Sequence, residues 1–512
     1  MRFSPLELRA RSCYVAIAAF TIVVMVSFVL LDHFAPAGRR LAKVAGIDPP
    51  AYFGVSHSLL FHGDFDLRDE YQHVRPDDSP WTAVRKETGL PGSSYAVGYS
   101  LLAAPFLAAG TALDALAGNP ADGYSRFAML GFCLANAALT GLGLMALFAF
   151  LYRTAGLWGT TEPPAVACAL AITVAAFFGT SVGYYAFSQM SHASTFFGAS
   201  LFLAWWWRIR EKTGVRDWML LGVIGGVLSI SRWQDVIYLG GPLLFDLMGG
   251  LGGIKTRLKS RIVYGAAAAL CWVPQLLEWK YIYGRFFLIP QGNGFFMFPP
   301  PFVLQVLFSS RNGWFFWTPL ALLGFAGLVF GAWKMPRVFL PWIVVIALEA
   351  GLVGSLPLTW HGGDSFSSRY LTSCVPLIAF GAATILYASG RVMRMAIMAA
   401  VIACCLFTIL FAVQFRLDLI PRAGRLTAAE CFTGKFRLRA VHRQKMAVQR
   451  ARELLRQGLP DAAVATLENA QAYGEDRDVL LALSEAYHAS GREADAHRTA
   501  DQWNRLMQSR LW

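Results

Sequence analysis

The residues best placed to do chemistry lie in the polar stretches between long apolar runs. Asp48 opens one such stretch, GIDPPAYFGVSHSLLFHGDFDLRDEY, in which Asp64, Asp66, Asp69 and Glu70 follow, together with His57 and His62. Cations come later and from separate places: Arg232 beside Asp235, then Lys280, Arg285, Arg311 and Arg369, the last preceded by His361 and Asp364. His192 closes the segment YYAFSQMSH. Arginine and lysine bind phosphate oxygens through charge-assisted hydrogen bonds. A carboxylate can take the proton from a hydroxyl as it attacks. A lipid phosphate unites these requirements, because its tail stays in a membrane and its charged head sits at the surface. Asp64 and Asp66 supply hard oxygen ligands that suit a divalent cation, but no third carboxylate is placed with them. No CxxC pair or His/Cys cluster suggests zinc. We therefore assign neither a metal ligand nor a cofactor.

Composition says what must position these groups. Of 512 residues, 15% are charged, 56% are apolar and 14% are aromatic, against about 25% charged in ordinary soluble proteins. The mean hydropathy is +0.45. A soluble fold this apolar would lack the polar side chains to cover its surface, so the sequence predicts an all-α, polytopic transmembrane bundle. Twelve spans are expected: 13–33, 96–116, 126–150, 163–182, 192–207, 218–231, 235–250, 262–279, 315–333, 338–356, 370–388 and 395–413. The first follows Arg2, Arg9 and Arg11 and reads as an uncleaved signal anchor.

The formal charge of +13 comes from cationic loops, which mark the cytoplasmic side. No nucleic-acid motif accompanies it, so nucleic acid is excluded as a partner. These loops are Arg208 to Arg216, Lys255 to Arg261, Lys334 with Arg337, and Arg391 with Arg394. Outside loops then fall at 34–95, 280–314 and 357–369, with 183–192 on the same side. Twelve crossings leave the count out of balance by one. A thirteenth crossing or a re-entrant segment between 34 and 200 would restore it and put the carboxyl terminus outside. The excess of Lys and Arg between 414 and 456 argues the opposite. Of eight cysteines, only Cys431 lies well outside the apolar segments. They read as small buried thiols.

Apolar runs stop near residue 440. Residues 1–415 form the membrane domain, 416–439 a linker, and 440–512 a small soluble domain of helical hairpins. Within it, Leu483, Tyr487, Gly491 and Ala496 follow tetratricopeptide spacing, and Leu454, Gly458, Ala463 and Ala470 repeat part of it. A plain helical hairpin is the equal alternative. The tail is expected to lean on the membrane domain or on a protein partner.

The motif order carries a resemblance. DPPAY holds Asp48 and Tyr52, YAVGYSLLAAPFLAAG leads into the second span, and SISRWQDVIY carries Arg232. FSQMSH, WKYIYGRFFLIPQG, LFSSRNGWFFWTPL and WHGGDSFSSRYL follow. In this layout, residues 10–415 resemble the GT-C polytopic glycosyltransferases, including the protein mannosyltransferase and aminoarabinose transferase branches. Pro49 stands where that family often has Glu. The resemblance implies a bacterial inner-membrane enzyme acting on its periplasmic side. It would move a sugar from a polyprenyl-phosphate donor to an outward-facing lipid, glycan or protein acceptor. Asp48 would be the general base. Arg232, Arg369, Arg311, His192 and Tyr52 would bind substrate, with Asp64, Asp66, Asp235, Lys280, His361 and Asp364 in secondary roles.

Each residue also has a structural alternative. Asp48 before two prolines suits a helix start. The GDFDLRDEY acids suit a solvated turn. Arg232 could pair with Asp235, and Arg369 with Asp364. His192 could hydrogen-bond within the bundle. The Trp205-Trp206-Trp207 run suits an interfacial belt. Two other functions compete with the enzyme: a lipid or solute transporter or flippase, and an envelope-assembly scaffold acting through the tail.

Overall fold

A computed structural model describes residues 5–35, 41–74, 82–422 and 424–508. Arg2, parts of the 34–95 loop and the last four residues lie outside the described residues. The described residues are helical, and their one β-bridge joins Val84 to Pro91.

In chain order the helices begin with α1 (Pro5–Phe34), α2 (Asp48–Phe61), α3 (Arg68–Val74), α4 (Gly98–Leu116), α5 (Arg126–Thr154), α6 (Pro164–Phe178), α7 (Ser181–Tyr185) and α8 (His192–Ile209). There follow α9 (Val215–Ser231), α10 (Gly240–Met248), α11 (Leu251–Leu270), α12 (Val273–Tyr283), α13 (Val303–Phe308), α14 (Trp314–Trp317), α15 (Pro319–Lys334) and α16 (Pro336–Gly354). The last are α17 (Val375–Ala388), α18 (Arg391–Arg416), α19 (Ala428–Cys431), α20 (Leu438–Arg456), α21 (Pro460–Gln471), α22 (Arg477–Ala489) and α23 (Glu493–Gln508).

Helix occurs at all twelve expected spans, but not always at crossing length. Seven segments among the described residues are long and apolar enough to cross a bilayer: Ala10–Phe34, Gly98–Leu116, Arg126–Trp158, Arg257–Tyr283, Pro336–Gly354, Arg369–Ala388 and Arg391–Arg416. Pro164–Phe178 and Pro319–Lys334 are apolar but shorter. The expected 235–250 span is a 3-10 turn, Trp233–Leu239, followed by the nine-residue α10. Gly240-Gly241-Pro242 and Gly249-Gly250 interrupt it. Among the described residues between 34 and 200, the α-helices beyond the expected ones are α2, α3 and α7, with 14, 7 and 5 residues. At 1.5 Å per residue none crosses a core about 30 Å thick, so none supplies the thirteenth full crossing.

The chain divides into two compact units. The first comprises residues 1–303, 318–360 and 369–405. Its innermost span is Arg369–Ala388, 89% buried, whereas Ala10–Phe34 is only 11% buried and keeps its apolar surface outward. Glycines let helices approach at backbone distance. A Cβ on Gly327 would lie 2.0 Å from the Gly381 carbonyl oxygen, which fixes the α15–α17 crossing. The α4–α5 hairpin is closed by Asp114, whose carboxylate accepts from the Phe127 and Ala128 N–H groups at 3.2 and 2.8 Å. Those donors open α5 and would otherwise lack partners.

The second unit comprises residues 304–317, 361–368 and 406–512. Trp317 stacks on Phe411 at 4.9 Å. Residues 416–439, expected as a linker, carry a capping box in which Thr427 and Glu430 bond reciprocally at the start of α19. Four helices, α20 to α23, follow around a core of small and apolar residues including Ala451, Leu467, Ala482 and Leu483. Gly458 and Gly491 end α20 and α22 with φ of 74° and 77°. The next N–H in each case bonds back to Leu454 or Tyr487. Glycine tolerates this left-handed conformation at a helix end. All eight cysteines are free.

Candidate functional site

Asp48 is the first residue of α2, ahead of two prolines whose fixed φ suits the first turn. The N-cap position is taken by Ile47, so the carboxylate is free to face inward. Its Oδ2 accepts from Arg369 Nη1 at 2.6 Å, and its Oδ1 accepts from the Tyr95 hydroxyl at 2.7 Å. The two charged side chains are 15% and 14% exposed.

Arg369 opens a 3-10 turn leading into α17. Its guanidinium also meets the Met190 sulfur at 3.4 Å, and its Nε is buried without a partner. Its backbone carbonyl accepts from Arg232 Nη1 at 3.0 Å. Arg232 stands where α9 breaks, with extended dihedrals of φ −151° and ψ 122°. That break lets its Nε reach Ser191 Oγ at 3.2 Å, and the Tyr52 hydroxyl donates to the same oxygen at 3.0 Å. Tyr52 lies one turn beyond Asp48 on α2. Both guanidiniums face the Tyr370 ring, at 5.1 Å for Arg232 and 5.5 Å for Arg369. The result is one continuous cluster: Tyr95, Asp48, Arg369, Arg232, Ser191 and Tyr52.

Electrostatics favour neutral tyrosines beside the charged pair. Burial pushes the Tyr52 hydroxyl up to about 12, against the lowering pull of Arg232. Burial, with the Asp48 charge second, holds Tyr95 well above its ordinary value. Both therefore remain hydrogen-bond donors at neutral pH.

Close packing holds the supporting elements in register. A Cβ on Gly98 would lie 2.5 Å from the Ser231 nitrogen and 2.6 Å from the Ile230 carbonyl carbon. Gly98 thus lets α4 start directly against the end of α9, next to Arg232. Gln234 Nε2 donates to Glu349 at 3.0 Å and to the Tyr370 carbonyl at 2.9 Å, tying the 3-10 turn after α9 to α16 and to the Arg369 turn.

The other expected residues are placed as follows. His192 begins α8, fully buried, with its ring 4.3 Å from Tyr185 and its Nδ1 without a partner. It is close enough to feel the charges of both Arg232 and Arg369. Arg232 and Asp235 form no ion pair among the described residues, because Arg232 turns instead to Ser191 and to Arg369. Asp64 accepts from Ser58 Oγ at 2.7 Å and from the Asp66 N–H at 3.0 Å. Asp66 pairs with Arg68. These two acids hold the α2–α3 turn and are not among the partners of Asp48 or Arg369. Lys280 donates to the Gly284 carbonyl at 2.9 Å, closing α12. Arg311, His361 and Asp364 belong to the second unit. There His361 Nδ1 accepts from the Gly363 N–H at 3.0 Å. Arg311 has a buried Nε without a partner, and burial lowers its proton affinity against the pull of Asp364.

Tyr95, Ser191, Met190 and Gln234 were missed as site residues. All four lie inside motifs that already stood out in the sequence: Tyr95 in YAVGY, Met190 and Ser191 in FSQMSH, and Gln234 in SISRWQDVIY. Their side chains have no chemistry that singles them out without the fold. Neither a protein-family model nor a curated protein matches this chain.

Proposed function

We propose that the protein is a membrane glycosyltransferase that moves a sugar from a polyprenyl-phosphate carrier to a hydroxyl-bearing acceptor. It would act at the outer face of a bacterial inner membrane. The observation that carries this reading is the contact of Asp48 with Arg369, itself joined to Arg232. One carboxylate and two guanidiniums, contributed by three distant parts of the chain, meet at a partly exposed place.

In this reading the acceptor oxygen attacks the anomeric carbon. The carbon–oxygen bond to phosphate breaks, the new glycosidic bond forms, and the hydroxyl proton passes to Asp48. Arg369 and Arg232 take up the charge that gathers on the departing phosphate. The ion pair gives Asp48 two roles in sequence. While it is bound to Arg369, its Oδ2 is occupied by the guanidinium. A phosphate drawn to Arg369 competes for that guanidinium and frees the oxygen to accept the proton. Tyr95 continues to orient the carboxylate through the second oxygen. Tyr52 supports Arg232 through their shared Ser191, and His192 lies close to both arginines. The carboxyl-terminal helices would dock a protein partner or present the acceptor.

The test uses the full chain in lipid nanodiscs with polyprenyl-phosphate sugars of several kinds. The proposal expects release of polyprenyl phosphate together with a glycosylated acceptor. Arg369→Gln and Arg232→Gln should each lower turnover by about 10²-fold, as expected when one charged partner of a phosphate is truncated. Movement of lipid or solute across the bilayer without any sugar transfer would instead support a transporter.

A further inference from the structure

At the far end of α2, His57, His62 and Glu70 bring three potential metal-ligand atoms within 4.8 Å of one another. We propose that these residues form a divalent-metal site of the zinc class, separate from the Asp48 cluster. The site would clamp α2 against α3.

The argument starts from His57. Its Nε2 lies 2.8 Å from the Asp122 carbonyl oxygen, which can only accept, so Nε2 carries the proton. Its Nδ1 faces Glu70 Oε1 at 2.9 Å, with the Tyr124 hydroxyl farther off at 3.5 Å. His62 Nδ1 faces the same oxygen at 3.4 Å. Two ring nitrogens thus converge on one carboxylate oxygen. Glu70 is fully buried, and its second oxygen has no partner at all. Hydrogen bonds from both ring nitrogens to Oε1 would still leave the buried Oε2 without a partner. A divalent ion satisfies both nitrogens and the carboxylate together.

The donor set and its spacing suit zinc. Two imidazoles and one carboxylate are a zinc ligand set, usually with water in the fourth position. Ligand atoms about 2.0–2.2 Å from a tetrahedral ion lie about 3.3–3.6 Å apart, close to the 2.9 and 3.4 Å from Glu70 Oε1 to the two ring nitrogens, and all three atoms lie within 4.8 Å of one another. His62, with its side chain 40% exposed, gives the ion a path from solvent and room for the water.

The surroundings hold His57 in place. Its ring stacks on Phe61 at 4.4 Å and lies 4.3 Å from Tyr124. Gly123, with φ of 78°, closes over it so tightly that a Cβ there would lie 2.6 Å from the ring. The Asp122 carbonyl fixes the tautomer, as outer partners of metal-bound histidines do. Sequence reading passed over this set because His57, His62 and Glu70 have no recognised metal-ligand spacing and meet only when α3 folds back on α2.

The experiment is zinc binding by the full-length protein in nanodiscs, with no need for transfer activity. Chelator-treated protein is re-equilibrated with zinc, competed against a chromogenic chelator, and examined by X-ray absorption. The expected result is one zinc per chain with nitrogen and oxygen ligands. His62→Ala, at an exposed position that leaves the fold intact, should weaken binding at least about tenfold. Glu70→Gln, the same size as the native residue, should abolish it. Zinc should also raise the thermal midpoint of the wild type and not of Glu70→Gln. No zinc above the level of Glu70→Gln would overturn the proposal. So would sulfur ligation, or equal affinity in wild type and His62→Ala.

Discussion

Asp48 and Arg369, separated by 321 positions in sequence, meet at 2.6 Å. The pair is mostly enclosed, so removing either member leaves the other charge poorly compensated. Breaking such a pair costs about 3 kcal/mol. Asp48→Asn and Arg369→Gln should each lower the thermal midpoint, and the double variant should regain much of the loss. Equal, additive losses in thermal unfolding would show that the two groups do not interact.

Tyr52 and Arg232 share Ser191 as a partner. Tyr52→Phe removes one neutral hydrogen bond and no charge. A neutral bond contributes about 1 kcal/mol, so turnover should fall by less than about tenfold while the protein keeps its stability within about that amount. A loss as large as that of Arg232→Gln, measured in the same assay, would give Tyr52 a direct part in the reaction.

Gly98 lets two backbones approach. In Gly98→Ala the new methyl meets the backbone of Ile230 and Ser231, which cannot rotate away as a side chain could. Overpacking of this kind costs about 1–3 kcal/mol and would shift Arg232 with the end of α9. The expected outcome is a lower thermal midpoint together with reduced turnover. A variant indistinguishable from wild type would mean that α4 and α9 separate freely.

Lys435, in the second unit, tests burial rather than chemistry. It is 4% exposed, with its ammonium over the rings of Phe411 and Phe407 and bonded to Gln414. Burial lowers its proton affinity to about 7 from an ordinary 10.5. Between these values the unfolded chain holds more protons, so stability rises with pH. Below about pH 7 both states are protonated and the full penalty of burying the charge applies. Lys435→Met removes that penalty and should therefore stabilise by a few kcal/mol below about pH 7. The gain should shrink as pH approaches about 10. Thermal unfolding at about pH 6 and pH 9.5 would check this, and a gain independent of pH would contradict it.

The apolar runs made the helical architecture legible, because each long run has one stable solution in a bilayer. Lengths were less legible. Residues 235–250 looked like a span by composition, yet the paired glycines and Pro242 break the segment into a 3-10 turn and a short helix. At the site, charge made Asp48, Arg232 and Arg369 stand out, since such groups are costly near a membrane. Charge could not say which acid met which base. Asp235 is three residues from Arg232, but the break in α9 turns that arginine toward Ser191 instead. Glu349, an acid inside the expected span 338–356, carries the same signal, but its partner Gln234 is visible only in the fold. His57 and Glu70 were visible as residues, but the turn that joins them was not.

The most direct test of the central claim is single-turnover sugar transfer by Asp48→Asn, folded and inserted, with donor binding measured alongside. Removing a general base should slow transfer by about 10²–10⁴-fold while the polyprenyl-phosphate sugar still binds. Transfer at the wild-type rate would contradict the role assigned to Asp48.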